Sequence, residues 1–167
     1  MKKYISSFVC GFGAGVLQVV PLVKSFSCCL IIPAASFIAI VLDRKANKAT
    51  SKTTMKHALI IGLMTGIYAA LFGSLFDILI TFITRNNDVV AMFPELQRMI
   101  NNFPLSEEIR NEVINLFQIV RNDIIEHGFS FLYTFSVIIN NFLVDTIFGI
   151  VGGLIGAQII NSKISEE

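Results

Sequence analysis

Two long stretches of this chain carry almost no charge. Residues 57–83 contain a single acid, Asp77, and residues 129–160 a single acid, Asp145. An α-helix rises 1.5 Å per residue, so about 20 apolar residues cross the roughly 30 Å hydrocarbon core of a bilayer. Both stretches exceed that length, and the second must tilt or project from the layer. Two shorter apolar runs precede them, at 4–21 and 26–42, with only residues 22–25 between. They read as a tight helical hairpin of two further spans, with a re-entrant pair as the competing reading. The expected fold is an all-α integral membrane protein, with four transmembrane helices in a single membrane domain over 1–167.

Composition agrees with this class. The chain is 54% hydrophobic and 15% charged, where a soluble domain carries about a quarter charged residues. Its net charge of +1 offers no basic face, so nucleic acid is not an expected partner. Trp is absent, leaving 15 Phe and 3 Tyr as interfacial aromatics. Cys10, Cys28 and Cys29 are spaced for neither a disulfide framework nor a zinc site, and the adjacent pair is strained for a mutual bridge. Lys2 and Lys3 before an apolar run would suit a signal peptide. No small-residue cleavage site or convincing lipobox follows, so the run reads as a retained first span.

Orientation comes from basic residues near the span ends. Lys2, Lys3, Arg44, Lys45, Lys48, Lys52, Lys56 and Lys163 fall on one side. The other side holds Lys24 and an insert, 85–128, in which Arg85, Arg98, Arg110 and Arg121 are outnumbered by the acids Asp88, Glu95, Glu107, Glu108, Glu112, Asp123 and Glu126. The expected location is the cell (inner) membrane, with both termini cytoplasmic. Within the extracytoplasmic insert, Pro94 suits the first turn of a short helix to about Asn102. Ser106, Glu107 and Glu108 read as a capped start of a second helix. Its Ile109, Val113, Leu116, Phe117, Val120 and Ile124 share one face, as in an amphipathic packing helix.

Small residues at helical spacing mark the faces on which membrane helices approach closely. Gly11 and Gly15 form one such face in the first span, Gly62, Gly66 and Gly73 another in the third, and Gly149, Gly152, Gly153 and Gly156 a third in the last. Asp77 and Asp145 continue the last two stripes with matching spacing, so antiparallel packing is expected to bring the acids together toward the outer leaflet. Gln18, Lys24, Asn140 and Asn141 fall at similar depth. Gln18, Lys24, Asp77, Asn140, Asn141 and Asp145 thus form a candidate polar intramembrane cluster. An intramembrane carboxylate is costly, about 2.5–3.5 kcal/mol on insertion scales, and normally finds a partner inside the bundle. The cluster reads first as a structural lock and second as a proton or ion site.

No catalytic residues, cofactor or metal are expected. The topology sets His57 and His127 on opposite faces, so they cannot share a metal, and each reads as solvated. Phe129, Phe131, Tyr133 and Phe135 read as an aromatic belt. The run Gly11, Gly13, Gly15 lies inside a span, out of reach of phosphate.

The Gly-rich first span ending GAGVLQVVP, the Cys-containing second span, the basic loop and the acidic insert before a Gly-rich last span together resemble uncharacterised small prokaryotic four-span membrane proteins. That resemblance implies topology and supplies no activity. The functional expectation is a non-enzymatic accessory or structural subunit of a membrane protein complex, acting through glycine-mediated helix packing. Its partners would be membrane lipid, other membrane subunits or itself. A small oligomeric ion or proton translocator using the Asp pair is the alternative.

Overall fold

The computed structural model describes residues 4–166. Lys2 and Lys3, counted above for orientation, lie outside the described residues, as does the Cys28 side chain. The described chain is helical throughout: α1 (Ile5–Gln18), α2 (Pro21–Lys24), a π-helical turn (Ser27–Ile31), α3 (Ile32–Ala46), α4 (Met55–Thr84), α5 (Asp88–Asn102), α6 (Glu107–His127) and α7 (Phe131–Glu166). Two of these are long and apolar enough to cross a membrane, Met55–Thr84 and Phe131–Ile164, while Ile5–Gln18 is a shorter apolar helix. Contacts divide the chain into two compact units, Met1–Phe76 with Ile138–Glu167, and Asp77–Val137. The second is wider than the insert drawn at 85–128, because it takes in the end of α4 and the start of α7.

In the first unit, four helices close a ring through their smallest residues. α1 runs parallel to α4: the Ser7 hydroxyl donates to the Ile61 carbonyl at 3.3 Å, and Gly15 sits so close to Gly73 that a Cβ would lie 2.8 Å from its amide nitrogen. α7 runs antiparallel to α4, with Gly153 against Ala58, Gly149 against Gly62, and Gly66 against the Asp145 carbonyl. α3 runs parallel to α7, with Pro33 beside Gly152 and Phe37 beside Gly156. Ala14, Ile32, Ala35 and Ala69 close the ring between α1, α3 and α4. Outside the seam of α1 and α4, Phe12 meets Phe72 edge to face at 5.0 Å, and Phe8 meets Tyr68 at 5.4 Å.

The first unit buries Ile32, Ile40 and Ile61 together with many small and polar side chains, and leaves many large apolar ones exposed. Ser7, Ser36, Thr65, Ser74, Gln18 and Asp145 are buried, whereas Phe8, Val9, Leu59, Leu75, Leu143, Ile147 and Ile155 are exposed. Soluble chains bury large aliphatics and avoid contiguous exposed apolar surface.

The hairpin differs in detail from the expected runs. α1 stops at Gln18, and Pro21 opens a single helical turn, with no N–H to extend α1. The π-turn before α3 has a matching cause. Pro33 cannot donate to the carbonyl four residues back, and the Ile32 amide instead bonds the Ser27 carbonyl, five residues back.

The second unit pairs α5 with α6. α5 begins at Asp88, well before the Pro94 start expected from sequence, because Asn87 caps it by accepting from the Val90 amide at 3.0 Å. Pro94 therefore lies inside the helix. α6 starts at the expected cap, with Ser106 accepting from the Ile109 amide at 3.4 Å. It ends on Gly128 at φ 74°, where an added Cβ would also lie 2.7 Å from the Phe82 carbonyl oxygen. Only glycine meets both demands.

Candidate functional site

The most demanding chemistry in the first unit is a buried amide–carboxylate pair. Gln18 is the last residue of α1, and Asp145 sits in the interior of α7. Their side chains meet with Gln18 Nε2 donating to Asp145 Oδ2 at 2.7 Å, across 127 residues of sequence. Both are nearly shut off from the surface, at 8% and 4% exposure. Glycines make the room: Gly73 leaves space for the Gln18 amide, and Gly66 lets the Asp145 backbone lie against α4. Gln18 is the sole hydrogen-bond partner of Asp145 among the described residues. The helix-packing glycines named above all lie in these seams, each against an intrachain neighbour, whereas Gly13 faces open space.

The other members of the candidate cluster are placed as follows. Asn141 donates to the Ser74 hydroxyl at 3.1 Å, linking α7 to α4 one turn from the pair. Asn140 is exposed, as is Lys24 at the end of α2. Asp77 belongs to the second unit, where the Tyr133 hydroxyl donates to its carboxylate at 2.5 Å. Tyr133 was read from sequence as part of an aromatic belt. Its partner could have been suspected only from the rule that a Tyr in apolar surroundings seeks an acceptor.

A second polar network lies where α3 ends and α4 begins, and sequence reasoning passed it over. Asp43 is buried, and His57 Nε2 lies 2.8 Å from its Oδ2. His57 is thus bound to a carboxylate rather than merely solvated. Next to it, Arg44 Nη1 donates to the Ser51 carbonyl at 2.7 Å and to Thr53 Oγ1 at 2.8 Å. Its Nη2 donates to the Ala49 carbonyl at 3.2 Å. Asn161 of α7 and the Thr53 backbone exchange reciprocal bonds, at 2.8 and 2.9 Å. The polar linker, expected from sequence over 43–56 and here only 47–54 because α3 runs to Ala46 and α4 opens at Met55, is therefore fastened to the bundle. The signal available in sequence was an acid and a histidine flanking one short loop, each beside an apolar helix.

Among the described residues, no group of three His, Cys, Asp or Glu side chains converges as a metal site would require. Cys10 is a free, half-buried thiol. The chain matches no known protein family, no curated protein and no solved structure.

Proposed function

We propose that this chain is an integral protein of the cell membrane with four spans and both ends cytoplasmic. It serves there as a non-enzymatic accessory subunit that packs against membrane partners or a second copy of itself. The observation that supports the reading is the first unit's exterior, rich in exposed large apolar side chains, around an interior that also buries Ser7, Gln18, Ser36, Thr65, Ser74 and Asp145. Such an exterior is stable only against lipid or protein. α4 rises about 30 Å between His57 and Asp77, which is the thickness of the hydrocarbon layer. α1 alone rises about 21 Å, so the hairpin completes its crossing with the turns that flank it. The stripe glycines are consumed within the chain, and partners are met instead by exposed aliphatics such as Leu143, Ile147 and Ile155. The test is mild-detergent extraction of native membranes, native-gel sizing and mass spectrometry of the band. A hetero-complex of defined stoichiometry supports the subunit reading; a protein that runs alone removes it.

One observation favours a second reading, a small oligomeric ion or proton translocator working through Asp77 and Asp145. A carboxylate held deep in an apolar bundle by a single amide is how ion and proton sites are built. Reconstitution with a pH-sensitive dye inside the vesicles decides this. Flux lost in Asp145→Asn with assembly intact supports transport, and absence of flux in the wild type eliminates it.

A further inference from the structure

The Schellman-like end of α3 is made by a residue poorly suited to it. The Ala49 amide bonds the Arg44 carbonyl at 3.0 Å, a six-to-one closure that requires a left-handed residue between. Lys48 occupies that position at φ 48°, where glycine is favoured and a side chain carries a steric cost. A strained lysine in place of glycine invites the question of what its ammonium does. It borders a groove of about 470 Å³ with Val41, Ala49 and Ile160 among its apolar lining and Arg44 and Lys45 beside Lys48 as its cations. Among the described residues, none of these three cations pairs with a carboxylate. Asp43, the acid next in sequence, is occupied by His57. Arg44 is held rigid by three acceptors and still keeps its Nε hydrogen and one Nη2 hydrogen unused. An apolar groove bordered by three basic side chains is complementary to a molecule with acyl chains and a phosphate.

We propose that this groove is a binding site for one acidic phospholipid of the cytoplasmic leaflet. The acyl chains lie along Val41 and Ile160, and the phosphate rests between Arg44, Lys45 and Lys48. The proposal rests on the membrane reading above, which supplies both the lipid and the leaflet. Basic pockets at the cytoplasmic ends of membrane helices recognise anionic headgroups, each cation near the surface contributing about a fivefold gain in affinity.

The test uses full-length protein in mild detergent, titrated with phosphatidylglycerol or with phosphatidylcholine of the same chains and read by native mass spectrometry. One retained phosphatidylglycerol is expected, with affinity falling about fivefold in Lys45→Gln and again in Lys48→Gly. Lys48→Gly is chosen because it relieves the left-handed strain, so its lost binding cannot be ascribed to misfolding when its melting point is unchanged or raised. Lys52→Gln in the loop and Lys56→Gln at the start of α4 remove nearby charge outside the groove lining and should leave binding unchanged. Equal binding of both lipids, equal losses in all four variants, or displacement by millimolar inorganic phosphate would each overturn the proposal. Failure of the membrane reading shows separately, as release of the protein from membranes by alkaline carbonate.

Discussion

At the scale of single residues, the Gln18–Asp145 pair separates two roles that one carboxylate can have. Asn at position 145 keeps an oxygen where Gln18 Nε2 donates at 2.7 Å, so Asp145→Asn is expected to leave stability within about 1 kcal/mol of wild type. Gln18→Leu instead leaves a buried carboxylate with no donor and should cost about 1–2 kcal/mol. Unfolding in mixed micelles by added SDS measures both, and the idea fails if the two variants behave alike. The glycines offer a second contrast. Gly13 faces open space, whereas a Cβ on Gly66 would run into the Asp145 carbonyl. Gly13→Ala should be neutral or stabilising by up to about 1 kcal/mol. Gly66→Ala should destabilise by about 1–3 kcal/mol, because α4 and α7 must separate to admit the methyl.

At the scale of elements, α5 shows where local reasoning stops. The proline that suits a helix start lies in the helix interior, because the Asn87 cap sets the beginning at Asp88, six residues before Pro94. Propensity favours the later start; capping decides for the earlier one. Pro94→Ala should therefore stabilise the α5–α6 pair, by up to about 3 kcal/mol if the backbone is otherwise unstrained. Slower amide hydrogen exchange in residues 88–102 would register it, and an unchanged rate would mean that Pro94 relieves some other strain. The long helices were legible because their apolar runs admit no other structure, and the cap at Ser106 because its chemistry is local. The π-turn was not, since it arises from the competition between Pro33 and the carbonyls behind it.

At the scale of the whole molecule, orientation is the first thing to establish. Under the proposed topology, Ser51→Cys should react with a membrane-impermeant thiol reagent only after permeabilisation, and Asn102→Cys should react in intact cells. These measurements need a background in which Cys29, itself exposed, is replaced. The reverse pattern would invert the topology and remove the cytoplasmic leaflet from the lipid site. The stripes were readable from sequence as faces, because small residues at helical spacing have one obvious use. The antiparallel meeting of the α4 and α7 stripes was readable too, but the single partner of Gln18 was not. The partner of Gln18 lies 127 residues away, and no local pattern links a glutamine to an aspartate at that distance. The Asp43–His57 contact escaped for a different reason, since an interfacial histidine looks the same in sequence whether it is hydrated or bound.

That separation also has a meaning in time. Ribosomes add about 5–20 residues per second, so Gln18 waits about 6 to 25 s, at those rates, before Asp145 exists to receive it. Under the proposed membrane reading, the Gln18 amide lacks this acceptor through that interval. Arrival of the last helix supplies it. A chain truncated after residue 130 should accordingly be degraded faster than full-length protein in pulse–chase, and Gln18→Leu should lengthen the survival of that fragment.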